Sequence, residues 1–287
     1  MRQDLAGETR ARLESIGEIP SLPTVLSRVW ELTAKDDTSA SDLATAISAD
    51  PGLTGAVLRL ANSAYFGFPR KVSTVTQAIV ILGFSTVKSL VAGASVFRAL
   101  GTGGRGGIDG GAFLSHSLAV AMASRVLIER RAPQKSGTAF ACGILHDLGK
   151  LVIAEFLGDA PSEIAQHVRQ GMALEEAEVA VLGLSHAEIG SWFATRWNFP
   201  EELACAVRWH HRPGDAAMHR DFVAAVHVGD ALAHRHGIAA DRVREDAAIA
   251  DEALHVLGID AGVLEHVSGV LAEAAHDGAA AGLSLEG

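Results

Sequence analysis

Cysteine, proline, tyrosine and basic charge are all scarce in this chain of 287 residues. The two cysteines, Cys142 and Cys205, have no metal-ligand spacing and cannot staple a fold of this length. Disulfide scaffolds and cysteine-based metal knots are therefore excluded, and a reducing compartment is expected. Eight prolines rule out a proline-rich or collagen-like chain. No run of about 18 apolar residues is free of charge, so no membrane span is expected. The opening Met1-Arg2-Gln3-Asp4-Leu5 is charged where a secretory leader needs an apolar run, and the chain reads as cytoplasmic. Lysine and arginine total 24 against 34 acidic residues, for a net charge of −10. Residues 1–100 hold 10 basic and 9 acidic groups, whereas residues 241–287 hold 2 and 10. Neither part has the basic excess that nucleic-acid binding needs, so no specific nucleic-acid binding is expected. The acidic C-terminal region reads as a solvated helical extension.

What the chain does have is apolar content of 48%, broken by dense helix punctuation and almost no strand signal. Val25, Leu26, Val29, Trp30 and Leu32 fall at helical spacing between Pro23 and Ala34. Ser39 and Asp42 form a capping box for the next helix, and Asp50-Pro51 reads as N-cap plus N1 proline of a helix ending near Asn62. Ser73 precedes a helix that stops at Gly83, and a mostly apolar, hence mostly buried, helix follows from Ser85 to Leu100. The pair resembles a helix-turn-helix in outline, but its second helix offers one lysine and few base-reading groups, so core packing is expected. The glycine-rich stretch over 101–111 lacks the Gly-Lys-Ser/Thr ending of a phosphate loop and reads as a linker. Four parts follow: an N-terminal helical lobe over 1–100, the linker over 101–111, a second helical lobe over 112–240 and an acidic helical extension over 241–287. Asn62 to Lys71 holds the chain's tyrosine and two phenylalanines, read as packing onto the second lobe or as a partner-facing loop.

The second lobe carries the chemistry. His146 and Asp147 lie side by side in an apolar stretch read as one helix over 136–156, where two adjacent polar groups are costly to bury without partners. His116 lies upstream on an apolar helix. His186 follows a Ser185 N-cap, the doublet His210-His211 ends a helix before Arg212-Pro213-Gly214, and Asp230 sits in an apolar helix. Imidazole with carboxylate suits Fe, Mn, Zn or Ni, and this number of groups is enough for two bridged divalent metals. Lys150, four residues after His146, either holds a phosphate oxygen or neutralises Asp147. His227 is placed to orient Asp230. His167, His219, His234, His236, His255, His266 and His276 read as surface or core.

In this order the residues resemble the HD superfamily, all-helical metal-dependent phosphohydrolases. The resemblance implies that His116, His146, Asp147 and Asp230 hold a metal, and that His186, His210 and His211 match ligands of dinuclear members such as the HD-GYP phosphodiesterases. The strings Ile19-Pro20-Ser21-Leu22-Pro23, Asp50-Pro51-Gly52-Leu53-Thr54, Leu58-Arg59-Leu60-Ala61-Asn62-Ser63-Ala64-Tyr65-Phe66-Gly67 and Ala78-Ile79-Val80-Ile81-Leu82-Gly83 look like an HDOD domain, with the likeness spanning residues 15–240. After His210-His211 the chain lacks a Gly-Tyr-Pro segment, which counts against cyclic-di-GMP hydrolysis and leaves metal binding open.

The resemblance implies an all-α HD-type bundle with an N-terminal helical lobe, acting as a bacterial regulatory module on signalling proteins. The alternative is a metal-dependent phosphohydrolase acting on a nucleotide or other phosphoester, with Asp147 bridging two metals and Lys150 stabilising charge on phosphoryl oxygens. Oligomeric state stays open.

Overall fold

Helix caps decide where the first lobe turns. In the computed structural model, which describes residues 2–16, 24–33, 35, 37–62, 70–100, 108–239 and 248–276, every regular element is a helix. The first lobe holds α2 (Thr24–Thr33), α3 (Ala40–Ser48), α4 (Pro51–Ala61), α5 (Val75–Leu82) and α6 (Phe84–Ala99). Ser39 and Asp42 form the capping box that starts α3, and Asp50 accepts the Leu53 N–H at 3.0 Å to start α4. Asn62 then ties the end of α4 to a distant residue. Its amide donates to the carbonyls of Leu58 (2.7 Å) and Val72 (2.8 Å), and its oxygen accepts the Val72 N–H (2.7 Å). The cap of α5 is Thr74, one residue later than the expected Ser73. Gly83, at φ 81°, lets the chain turn by 113° from α5 into α6. Every residue of α6 from Ser89 to Phe97 is buried, so this helix is core. The Ile19–Pro23 string and residues 63–69 and 101–107 lie outside the described residues, as does the Trp30 side chain.

The second lobe is organised around α7 (Gly110–Glu129), α8 (Ser136–Leu145), α9 (Leu148–Phe156), α12 (His186–Arg196), α13 (Glu201–Trp209) and α14 (Arg220–Arg235). Asp109 caps α7 through the N–H groups of Gly111 and Ala112, so the end of the glycine-rich stretch already belongs to a helix. This helix is long and apolar enough to cross a membrane, but 78% of its apolar window is buried inside the protein, where it serves as the central strut. Beside these lie α10 (Ala160–Arg169), α11 (Leu174–Leu182), α15 (Asp251–Leu257) and α16 (Ala261–His276). The N-terminal helix α1 (Arg2–Glu14) packs on α11, with the Thr9 hydroxyl donating to the Leu182 carbonyl at 2.8 Å. One apolar cluster runs from Leu13 to Leu271 through both lobes. The all-α expectation is met, and the two lobes share a core.

One expected element is corrected. Residues 136–156 are two helices, α8 and α9, broken at His146-Asp147. Consecutive positions on a continuous helix diverge by about 100°. The break lets both side chains turn to the same interior.

Two backbone crossings set the spacing around that break. A Cβ at Gly143 would stand 2.5 Å from Ala121 Cα, so α8 lies directly on α7. A Cβ at Gly149 would stand 1.8 Å from the His186 carbonyl oxygen and 2.9 Å from the Gly190 nitrogen on the facing helix, so α9 lies directly on α12. Gly149→Ala should force these helices apart and destabilise the protein by about 1–3 kcal/mol, read as a lower urea midpoint. An unchanged midpoint would mean that the α9–α12 crossing has slack.

Candidate metal centre

The fold gathers the ligand set from six helices. His116 comes from the second turn of α7, His146 from the end of α8, and Asp147 from the start of α9. His186 is the first residue of α12, His210 and His211 follow α13, and Asp230 lies in α14. His116, His146, His186 and His210 are fully buried and Asp147 is nearly so. Residues expected from the sequence to act together therefore do converge.

The orientation of each imidazole follows from its outer nitrogen. Nδ1 of His116, His146 and His210 faces the carbonyls of Ile238, Gly143 and Val207, each at 2.8 Å. A carbonyl only accepts, so each of these nitrogens carries the proton and donates. In the neutral ring Nε2 then keeps its lone pair. The inner nitrogens nevertheless meet at short range, with His116 Nε2 3.2 Å from His146 Nε2 and His186 Nε2 3.5 Å from His210 Nε2. Lone pairs facing one another this closely need a proton or a cation between them.

Asp147 divides the donors into two groups. Its Oδ2 lies 3.7 Å from His116 Nε2 and 3.4 Å from His146 Nε2, while its Oδ1 lies 3.5 Å from His186 Nε2 and 3.8 Å from His210 Nε2. Asp230 Oδ1 adds to the first group at 3.2 Å from His116, and His211 Nε2 to the second at 3.0 Å from His186. Donors bound at about 2.0–2.2 Å to a shared cation stand about 3–4 Å apart. Both groups meet that spacing, and neither oxygen of Asp147 accepts a hydrogen bond of good geometry among the described residues. The residues fit a transition metal at each of two positions bridged by Asp147.

The electrostatics agree. Burial opposes ionisation of Asp147, but His146 and Lys150 outweigh it and hold the carboxyl well below its usual range. Burial also opposes a charge on His116, yet the Asp230 carboxylate raises its pKa. At His210, burial and then the neighbouring His211, His146 and His186 push the pKa well down. The centre attracts positive charge, and that ring stays neutral, as a ligand must.

Lys150 sends its Nζ to Asp147 Oδ2 at 2.9 Å, so it neutralises that carboxylate. His227 does not bond Asp230 but braces the turn behind the doublet. Its Nδ1 donates to the His210 carbonyl (2.7 Å), and its Nε2 accepts the Ala250 N–H (3.0 Å). Two residues escaped the sequence reading. Glu178 is buried in α11, and its Oε2 accepts both the backbone N–H of His186 (2.8 Å) and its Nδ1–H (2.7 Å). A carboxylate flanked by Ala177 and Val179 was the available signal. His234, expected at the surface or in the core, instead lies 3.4 Å from Asp230 Oδ1 through its Nε2. Its place one helical turn after Asp230 was the signal.

A cleft of about 340 Å³ opens over the centre. It is lined by His186, His211, His227 and Asp230 on the inside, and by residues 173–175 and 248–250 at the rim. No lysine or arginine is among these lining residues.

The HDOD domain family matches residues 19–213. An uncharacterized protein of Treponema pallidum (strain Nichols) is 26% identical over 205 residues, 69% of this chain, and the chain spans 38% of that relative's length. Among solved structures, a candidate phosphohydrolase from Shewanella amazonensis SB2B is 26% identical with a TM-score of 0.73, covering 94% of this chain and 98% of that one. A candidate signal transduction protein from Marinobacter aquaeolei VT8 shares the fold at a TM-score of 0.76 and 22% identity, covering 98% of this chain and 65% of that one.

The Glu178–His186 pair predicts a pH dependence. Burial lowers the affinity of His186 for a second proton, but Glu178 more than offsets it, raising the pKa to about 9. Without metal, this raised pKa contributes stability that is complete below about pH 6.5 and lost as pH rises through about 9. A metal must displace the same proton, so uptake at this position should strengthen with rising pH and level off above about 9. Glu178→Gln should shift that rise to lower pH and cost about 10–100-fold in affinity. Calorimetric Zn²⁺ titrations across the range test this, and identical profiles for both proteins would exclude the Glu178 role.

Proposed function

The chain belongs to the HDOD domain family, and from that premise we propose that it is a bacterial signal-transduction module. On this reading it binds signalling proteins in the cytoplasm and carries a two-position transition-metal centre. The observation that carries this reading is the cleft. Stabilising a phosphoester in reaction calls for cationic donors aimed at its oxygens. The cleft lining offers none among its described residues, and the nearby Lys150 is engaged by Asp147. The absence of a Gly-Tyr-Pro segment after His210-His211 adds support.

A route from the centre to the surface supports the regulatory reading. His227 joins the carbonyl of the ligand His210 to the Ala250 N–H at the cleft rim, just before α15. Metal occupancy at His210 and His211 thereby bears on the position of residues 248–250. A bound metal also stabilises the folded state by mass action, which suits a structural or sensing use.

The second reading, a metal-dependent phosphohydrolase, draws on the cleft reaching His186, His211 and Asp230, and on a solved neighbour named as a candidate phosphohydrolase. A metal in this centre would supply Lewis-acid activation of water and phosphoryl oxygen. Asp147 would hold both positions together, and Lys150 would keep that carboxylate ionised.

Untagged protein purified without chelator should carry about two equivalents of transition metal, the number that a bridged pair of positions holds. Asp147→Ala should release metal from both positions while the far-ultraviolet circular dichroism stays helical. A screen of nucleotides and cyclic dinucleotides on the loaded protein should show no turnover. Rapid hydrolysis that Asp147→Ala abolishes would replace the regulatory reading with the enzymatic one.

A further inference from the structure

The two positions differ in how many protein donors surround them, and His234 makes the difference. Asp230 Oδ1 is a hub for three rings. It lies 3.2 Å from His116 Nε2, 3.8 Å from His146 Nε2 and 3.4 Å from His234 Nε2. His234 thus meets the hub at a distance between those of the two family-matched histidines. Its ring centroid is 5.0 Å from that of His116, as close as that of His146 at 5.1 Å. His234 follows Asp230 by one turn of α14, and its side chain is 6% exposed.

The donor atoms of His116, Asp230 and His234 all lie within 4.8 Å of one another, as do those of His116, His146 and Asp147. These are not two separate seats. His116 Nε2 has a single lone pair and can serve one cation at a time. Both triplets therefore describe the surroundings of one cation.

Building on the metal centre proposed above, we propose that His234 is a further ligand of the first position and closes it, leaving the second position as the exchangeable one. The first position then has five protein donors, His116, His146, Asp147, Asp230 and His234. The second has four, His186, His210, His211 and the other oxygen of Asp147. The cleft follows the same division: it touches two histidines of the second position, whereas Asp230 alone of the first position's donors lines it. The closed metal is structural, and the open one is what a change in metal supply or an incoming ligand reaches.

The test is a chelator challenge of protein loaded with Zn²⁺, following metal release with an indicator and residual metal by mass spectrometry. Wild type should release one equivalent quickly and one slowly. His234→Ala should accelerate the slow phase at least about tenfold while leaving the fast phase in place. His255→Ala, which removes an exposed histidine, should release metal as wild type does. A slow phase unaltered in a folded His234→Ala protein would overturn the assignment of His234, and a single fast phase in wild type would overturn the closure. A wild type that takes up no metal would instead overturn the centre itself. Co²⁺-loaded wild type gives a check that needs no variant. A five-donor position absorbs weakly in the visible and a four-donor position strongly, so two strong sites would count against His234.

Discussion

The buried carboxylate of Asp147 is the group on which the rest of this structure depends. A carboxylate removed from water costs several kcal/mol unless charge and hydrogen bonds replace its hydration. Here Lys150 lies against one oxygen, and imidazole nitrogens face both at 3.4–3.8 Å. Among the described residues no donor hydrogen-bonds it in good geometry, so the site has the electrostatics of a cage built for cations. The helix break at His146-Asp147 exists to serve that carboxylate. It brings two adjacent side chains to one interior and sets α9 against α12 at Gly149, with backbone touching backbone.

The imidazoles are oriented from outside the cage. Carbonyls of Gly143 and Val207, each three residues back in its own helix, take the outer protons of His146 and His210, and the carbonyl of Ile238 does the same for His116. Helix ends leave such carbonyls without intrahelical partners, which is why ligands at the ends of α8 and α13 find acceptors locally. His186 sits at a helix start instead, where backbone N–H groups are in excess and carbonyl acceptors are lacking. Glu178 answers both needs by accepting the backbone and ring protons of His186 on one oxygen. The two positions thus acquire different proton affinities and different access to solvent from the same chain geometry.

Much of this was legible in advance. Helical periodicity, the Ser39 and Asp50 caps and the Gly83 turn follow from local chemistry, and the structure bears them out. His116, His146, Asp147, His186, His210, His211 and Asp230 announced themselves as polar groups in apolar helices. Glu178 was hidden because Glu175 and Glu176 precede it, and sequence alone does not say which of three carboxylates turns inward. His234 was hidden among six other histidines of no evident role, although its four-residue spacing from Asp230 was in view. His227 was seen but given the wrong partner, since its true acceptor and donor lie 17 and 23 residues away.

The sequence by itself determined the all-helical class, the helix ends and the chemical character of the ligand set, because these depend on side-chain type and on interactions within a turn or two. Only the tertiary structure decided the break at Asp147, the division of donors into two positions, the roles of Glu178, His227 and His234, and the cleft over one side of the centre. Each of those depends on the distance and angle between helices far apart in the chain. Close crossings at glycine set that geometry, and no local pattern encodes which helix will lie on the other side.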